Sequence, residues 1–266
     1  MKYIVCNSEN AVFNKMYDEL ERFIEDGAVL SFPEKIMDTQ FTKRMIDEKN
    51  NGKYRYNHII FVGQREFANI DNEEELGIKR IMRKNIYKPL GVDYENIFYP
   101  QVLQEEDLEN YREVLKENTI DVIILTLNSD GTIINYKDSS ELNENINISD
   151  LLEKDLTYLK AKEPNLISNK KIINIGINDI LESRNIFLVA LGRDKKQYIE
   201  TIFEDNEDNN NILSVLKKHK NITIFVDKEL GYKSEEEVNK LIREKQRREE
   251  LEKLRKIERE SNKENE

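Results

Sequence analysis

Along the chain, short runs of Ile, Val and aromatic residues alternate with longer segments whose apolar positions recur every three or four residues, the pattern of an α/β fold. Residues 2–6 (KYIVC) are the first apolar run and predict a strand. Phe13, Met16, Leu20, Phe23 and Ile24 then share one helical face that stops at Gly27. Further strands are predicted at 28–32 (AVLSF), 58–63 (HIIFVG), 121–127 (DVIILTL), 171–176 (KIINIG), 185–191 (NIFLVAL) and 221–227 (NITIFVD). Most of these runs lack polar alternation, which suits strands covered on both faces of a parallel sheet. Pro33 can occupy the first turn of a helix, where its missing N–H costs nothing, and that helix carries Ile36, Met37, Phe41, Met45 and Ile46 before ending at Gly52. Helices are also predicted over 73–88 and 104–116, and the acidic stretch EDNEDNNN (204–211) reads as a solvated loop. The expected architecture is a Rossmann-like α/β fold, a mostly parallel sheet with helices on both faces, plus a charged C-terminal helix.

Residues 234–266 differ in kind from what precedes them. They contain no Gly or Pro, mix both charge signs, and place Val238, Leu241, Ile242, Leu251, Leu254 and Ile257 with a gap after Ile242 that breaks any heptad run. An exposed helix held by ion pairs four residues apart is expected rather than a coiled coil. The organisation read from the sequence is therefore an α/β domain over 1–232 and a charged helical tail over 233–266. The tail is the segment open to a protein partner or to self-association.

Composition narrows the function. The chain has 266 residues, with 12 Tyr and 10 Phe to fill a sizeable core. Its net charge of −11 disfavours a nucleic-acid surface, which needs clustered Lys and Arg. The single Cys6 can make no internal disulfide and reads as a small core residue. No apolar run is long enough to span a bilayer, and the first ten residues turn polar too early for a secretion signal. A cytoplasmic protein without membrane contact is expected, with no metal and no cofactor.

In open sheets of this kind ligands bind beyond the carboxyl ends of the strands. The loops to watch are therefore Ser31–Lys35, Gly63–Phe67, Asn128–Thr132 and Gly192–Lys196. GVDYENIFYPQ (91–101), LNSDGTIINY (127–136) and above all IINIGINDILESRNIFLVALGRDKKQYIETIF followed by NITIFVDKEL within 172–230 resemble, in order and spacing, segments of the glucosamine-6-phosphate deaminase and 6-phosphogluconolactonase superfamily. The resemblance covers most of residues 1–232. It implies a sugar-phosphate ligand and a place in carbohydrate metabolism.

The resemblance assigns roles residue by residue. Lys195 falls on the lysine that holds the ligand phosphate, and Ser31 is the only hydroxyl left in the phosphate loop, where Pro33 removes a donor and Glu34 adds a negative charge. A family arginine in the segment after the Asp-Gly loop has no counterpart, since 139–183 holds no Arg, and Lys160 or Lys162 stand as substitutes. Asp130 falls on the aspartate of the ring-opening relay, beside Gly131, but Thr132 replaces the relay His and Lys137 the relay Glu. The proton-transferring Asp of the family's D-E-Y motif is replaced by Arg65, which cannot act as a base near neutral pH. Glu66 could supply that carboxylate only after a one-residue shift of register. His58 and His219 both precede strands, so about 15 Å of strand separates them from the crevice. Taken alone, Asp130-Gly131 is a turn dipeptide and a hairpin explains it; the resemblance shifts the reading toward a former active-site loop.

Three readings are compatible with these residues. The favoured one is a sugar-phosphate-binding protein whose catalysis is impaired or lost, with Lys195, Ser31, Gly131 and Arg65 touching the ligand. The second is a diverged isomerase or deaminase using Asp130, Glu66 and Arg65. The third is an interaction protein on an inherited scaffold whose tail finds the partner.

Overall fold

The computed structural model describes residues 1–68, 76–101, 107–136, 146–162, 171–203 and 212–263. Among the described residues ten strands appear in chain order: β1 (Lys2–Cys6), β2 (Val29–Ser31), β3 (Ile60–Val62), β4 (Arg65–Phe67), β5 (Ile97–Phe98), β6 (Val122–Thr126), β7 (Asn147–Asp150), β8 (Lys171–Asn174), β9 (Ile186–Ala190) and β10 (Ile222–Asp227). Seven of them build one sheet in the order β1-β10-β9-β6-β2-β3-β5, and every pairing in it is parallel.

Successive side chains of a strand point to opposite faces, and here both faces are covered. Val122 and Ile124 of β6 join Phe187, Val189 and Phe225 in one core with Val12, Phe13 and Met16 of the helix Glu9–Leu20. Ile123 and Leu125 join Ile186, Leu188, Ile222, Ile224 and Val226 in the other core, with Tyr111, Ile199 and Leu213 from helices on that side. This two-sided burial is why the strand sequences read as unbroken apolar runs.

Order within the sheet fixes where a ligand could sit. From β2 the chain steps outward through β3 to β5, then returns to the opposite side of β2 with β6 and continues through β9 and β10. The direction of winding reverses between β2 and β6, and such a switch point opens a crevice at the carboxyl ends of the two strands.

Several local expectations change. The 171–176 run forms β8, but outside the main sheet: β8 pairs antiparallel with β4 on one side and β7 on the other. β4 arises within the 63–67 segment that the sequence presents as a loop, and β7 carries no apolar run that would announce it. Pro33 does not open a long helix. It precedes a single 3₁₀ turn, Glu34–Ile36, and the α-helix starts only at Gln40. The Thr39 and Thr42 hydroxyls both donate to the Ile36 carbonyl at 2.7 Å, ending the turn and satisfying an acceptor that a continuous helix would have used. The helix predicted over 73–88 is described from Ile78, and after Met82 it widens into a π turn over Arg83–Tyr87. The acidic 204–211 segment lies outside the described residues.

The long helix Glu235–Lys263 is part of the core at its start. Val238 is fully buried and Ile242 nearly so, whereas Leu251, Leu254 and Ile257 are exposed. Its first turns also cover the edge strand. The Val5 N–H donates to Glu235 Oε2 at 2.9 Å, and Asn239 Nδ2 donates to the Tyr3 carbonyl at 3.2 Å. Both backbone groups face away from β10, so side chains of the helix complete the hydrogen bonding of an edge that would otherwise invite another strand. No helix among the described residues is long and apolar enough to cross a membrane.

This division of the helix predicts unequal mutational costs. Ile242→Ala should destabilise the protein by about 2 kcal/mol or more, and Leu254→Ala should fall within about 0.5 kcal/mol of wild type, as read from urea midpoints at unchanged slope.

Candidate functional site

A cleft of about 80 Å³ opens at the switch point, lined by Pro33, Glu34 and Lys35 after β2, Gln64 and Arg65 after β3, and Thr126, Asn128 and Ile134 at the end of β6. The turn after β2 reaches it because Pro33, in extended geometry at φ −81° and ψ 155°, directs the chain out of the sheet. Gln64 is buried and holds the two halves of the sheet together there, donating from Nε2 to the Ile124 carbonyl at 2.7 Å and lying 3.4 Å from the Ser31 carbonyl.

Arg65 dominates the electrostatics of the cleft. Its Nε donates to Glu34 Oε1 at 2.8 Å, and one terminal nitrogen donates to both oxygens of Asp155 at 3.0 and 3.1 Å and lies 3.4 Å from Asn135 Oδ1. Only 16% of its side chain is exposed, against 23% for Glu34 and 6% for Asp155. Burial works against the guanidinium charge, but the two carboxylates outweigh it and hold the arginine above its ordinary pKa. Arg65 is a fixed cation with no basic lone pair to offer a substrate proton.

Glu66, the next residue of β4, projects to the opposite face of the strand. Its Oε1 accepts from the N–H groups of Phe67 and Ile78 and its Oε2 from that of Lys79, each at 2.8 Å. The carboxylate therefore caps the start of the helix Ile78–Met82, where Gly77 brings no side chain of its own. It does not line the cleft. Burial pushes its carboxyl up to about 7, and the three N–H donors oppose that rise.

The loop after β6 is built from two consecutive turns. Gly131 N–H donates to the Asn128 carbonyl and Asn128 N–H to the Thr132 carbonyl; Ile133 and Tyr136 then exchange both backbone bonds at 2.9 Å. Between them Ile134 is held at φ 58°, a conformation costly for a β-branched residue, and it forms one wall of the cleft. Asp130 is exposed and folds back on its own loop, its Oδ1 accepting from the Thr132 N–H at 3.0 Å and the Thr132 hydroxyl at 2.7 Å. The Thr132 hydroxyl in turn accepts from Asn128 Nδ2 at 2.7 Å. Gly131 adopts φ +83°, and a Cβ there would stand 2.5 Å from the Tyr198 ring. Glycine is required twice over, for the backbone conformation and for the close approach of that ring.

Two lysines converge on the first residues of this loop. Lys35 Nζ donates to Asn128 Oδ1, and Lys195 Nζ donates to Ser129 Oγ at 3.3 Å and to Asp194 Oδ2 at 2.7 Å. The hydrogen bond from Lys195 keeps the Asp194 carboxyl below its ordinary range. Gly192, which opens the turn carrying Lys195, is fixed by its N–H donating to Asp227 Oδ1 at 3.0 Å.

Among the sequence-predicted residues, Arg65 lines the cleft, while Lys195, Asp130 and Gly131 gather on the Asn128–Thr132 loop at its edge. Ser31 is fully buried at the end of β2, and its hydroxyl finds no hydrogen-bond partner among the described residues. His58 and His219 stand at the amino ends of β3 and β10, the latter bonded through Nε2 to the Ser183 carbonyl at 2.7 Å. Lys160 is exposed on the helix Glu153–Lys162. Lys137 and the side chain of Lys162 lie outside the described residues. Sequence reasoning missed Asp155, whose segment LLEKDL carries no motif, and the direct contribution of Lys35 and Asn128.

The Glu66 geometry makes a pH prediction. A carboxyl held near 7 in the folded protein and near 4.5 unfolded contributes stability that is fully present below about 4.5 and is lost as pH rises through 7. Measured by urea denaturation, wild type should therefore lose on the order of 3 kcal/mol relative to Glu66→Gln between those pH values. Parallel curves for the two proteins would show a carboxyl that titrates normally.

No protein-family model matches the chain. Over 228 residues it is 23% identical to a glucosamine-6-phosphate deaminase of Clostridium beijerinckii, covering 83% of this chain and 91% of that protein. Over 237 residues it is 24% identical to a glucosamine-6-phosphate deaminase of Lactococcus lactis, covering 85% and 96%. Among solved structures, a monomeric glucosamine-6-phosphate deaminase superposes with a TM-score of 0.74 at 18% identity, over 86% of this chain and 98% of that one. The 6-phosphogluconolactonase of Trypanosoma brucei superposes with a TM-score of 0.64 at 14% identity, over 86% and 96%. Relatives of both kinds span nearly their whole length on this fold: the chain is similar in sequence to glucosamine-6-phosphate deaminases and shares the fold seen in those enzymes and in 6-phosphogluconolactonases.

Proposed function

We propose that this protein binds a phosphorylated sugar at the switch-point cleft and does not turn it over. The observation that carries the reading is Arg65, a cation clamped by Glu34 and Asp155 on the strand position where the family resemblance calls for a carboxylate base. Proton abstraction from a sugar carbon needs a group that is unprotonated near neutral pH and within hydrogen-bond reach of the substrate. Arg65 fails the first requirement. Glu66 fails the second, because its oxygens are taken by three backbone donors on the other face of β4. Asp130 is engaged by Thr132, where a relay histidine would have passed a proton onward.

Binding is supported by the two ammonium groups that meet the same loop, Lys35 at Asn128 and Lys195 at Ser129. A phosphate monoester placed between them would replace the Asn128 and Ser129 side chains as their partner by a charge-assisted contact. The charged helix from Glu235 is, in this reading, an accessory to the α/β domain of 1–232, its first turns closing the sheet edge and its remainder projecting from it.

Glucosamine 6-phosphate at about a hundredfold above its dissociation constant should stabilise the folded state by roughly 2.7 kcal/mol, visible as a rise in Tm. That rise should disappear in Lys195→Ala, while no ammonia, isomerised sugar or hydrolysed 6-phosphogluconolactone accumulates with the wild-type protein. Turnover of any of these substrates that Asp130→Asn abolishes would establish a diverged enzyme instead.

A further inference from the structure

The turn between β2 and the helix from Gln40 puts an acid where an anionic ligand would be received. Glu34 lies on the wall of the cleft, its Oε1 2.8 Å from Arg65 Nε. Arg65 would remain in place without it, because Asp155 holds the same guanidinium through two bonds at 3.0 and 3.1 Å. Formally, Arg65 and Lys35 are balanced by Glu34 and Asp155, so a doubly charged phosphate gains little from entering. Removing the Glu34 charge leaves Arg65 and Lys35 balanced only by Asp155, which lies behind Arg65 and does not line the cleft.

We propose that Glu34 is a built-in competitor for the phosphate group of the ligand, occupying an arginine edge that would otherwise join Lys35 and Lys195 in holding it. The inference rests on the phosphate-binding reading above and adds how that binding is restrained. The cleft volume agrees with it. About 80 Å³ is well below the ~300–1,000 Å³ of ordinary small-molecule sites, and displacement of the turn that carries Glu34 would widen it toward the size of a hexose phosphate.

The turn is suited to such a movement. The 3₁₀ segment Glu34–Ile36 is one turn long and is anchored at its far end by Thr39 and Thr42 on the Ile36 carbonyl, which confines any displacement to Pro33–Lys35. Ser31, three residues before Glu34, keeps a buried hydroxyl without a partner among the described residues, a donor that an incoming phosphate oxygen could satisfy.

The test is isothermal titration of the full chain with inorganic phosphate and with glucosamine 6-phosphate, comparing wild type with Glu34→Gln, Glu34→Asp and Glu34→Ala. Glu34→Gln and Glu34→Ala should bind both anions at least tenfold more tightly than wild type, and Glu34→Asp, which keeps the charge but withdraws it from Arg65, should fall between. Glu34→Gln preserves side-chain size, so a folding defect in Glu34→Ala leaves the comparison intact. Wild-type binding that Glu34→Gln does not change would overturn the competitor and leave the phosphate-binding reading standing. Binding by the Glu34 variants alone would support the competitor and refute binding by the native protein. Absence of binding in all of them would overturn both.

Discussion

A guanidinium that is mostly withdrawn from water must have counter-charges, and Arg65 obtains them from two distant parts of the chain. Glu34 comes from the turn after β2 and Asp155 from the helix that follows β7, 31 and 90 residues away in sequence. One ion-paired group therefore ties together the main sheet, the small antiparallel sheet and the cleft between them. The same constraint restricts chemistry, because the position is held by a permanent cation whose hydrogen bonds are spent on structure. Replacing either carboxylate alone changes the charge of the cleft as well as the packing around it.

The location of that cleft follows from the winding of the sheet. β2 and β6 are hydrogen-bonded neighbours whose chains depart in opposite directions, so the loops after them diverge and cannot cover the gap. Gln64 fills the lower part of this gap with a buried amide, and Ile134 closes one wall at the expense of a strained backbone. Strain at a β-branched residue persists only where its surroundings over-determine it. Here the Ile133–Tyr136 turn and the Tyr136 hydroxyl, which donates to the Ile175 carbonyl at 2.7 Å, supply that constraint.

At the opposite edge of the sheet, the helix from Glu235 solves a different problem. β1 pairs with β10 on one side only, and its remaining backbone groups would be exposed. Glu235 and Asn239 take up two of them, and Val238 and Ile242 bury the adjacent apolar surface. Beyond Ile242 the helix leaves the core, and the exposed Leu251, Leu254 and Ile257 belong to that projecting part.

The sequence by itself determined the α/β class, the main parallel strands and the loops that border the cleft, because two-sided burial writes each central strand as an unbroken apolar run. It also placed Lys195, Asp130 and Gly131 on loops that do meet, since each follows closely on the carboxyl end of a strand that its apolar run marks, β6 ending at Thr126 and β9 at Ala190. Only the tertiary structure decided the rest. β4 and β7 are short and half polar, and they exist because β8 pairs with both of them. Glu66 looks like a free acid in sequence and becomes a helix cap, because a strand sends neighbouring side chains to opposite faces and Ile78 and Lys79 return to meet it. Asp155 carries no local signal at all: its partnership with Arg65 is created by a fold that brings together residues remote along the chain, and one-dimensional pattern contains no record of that distance.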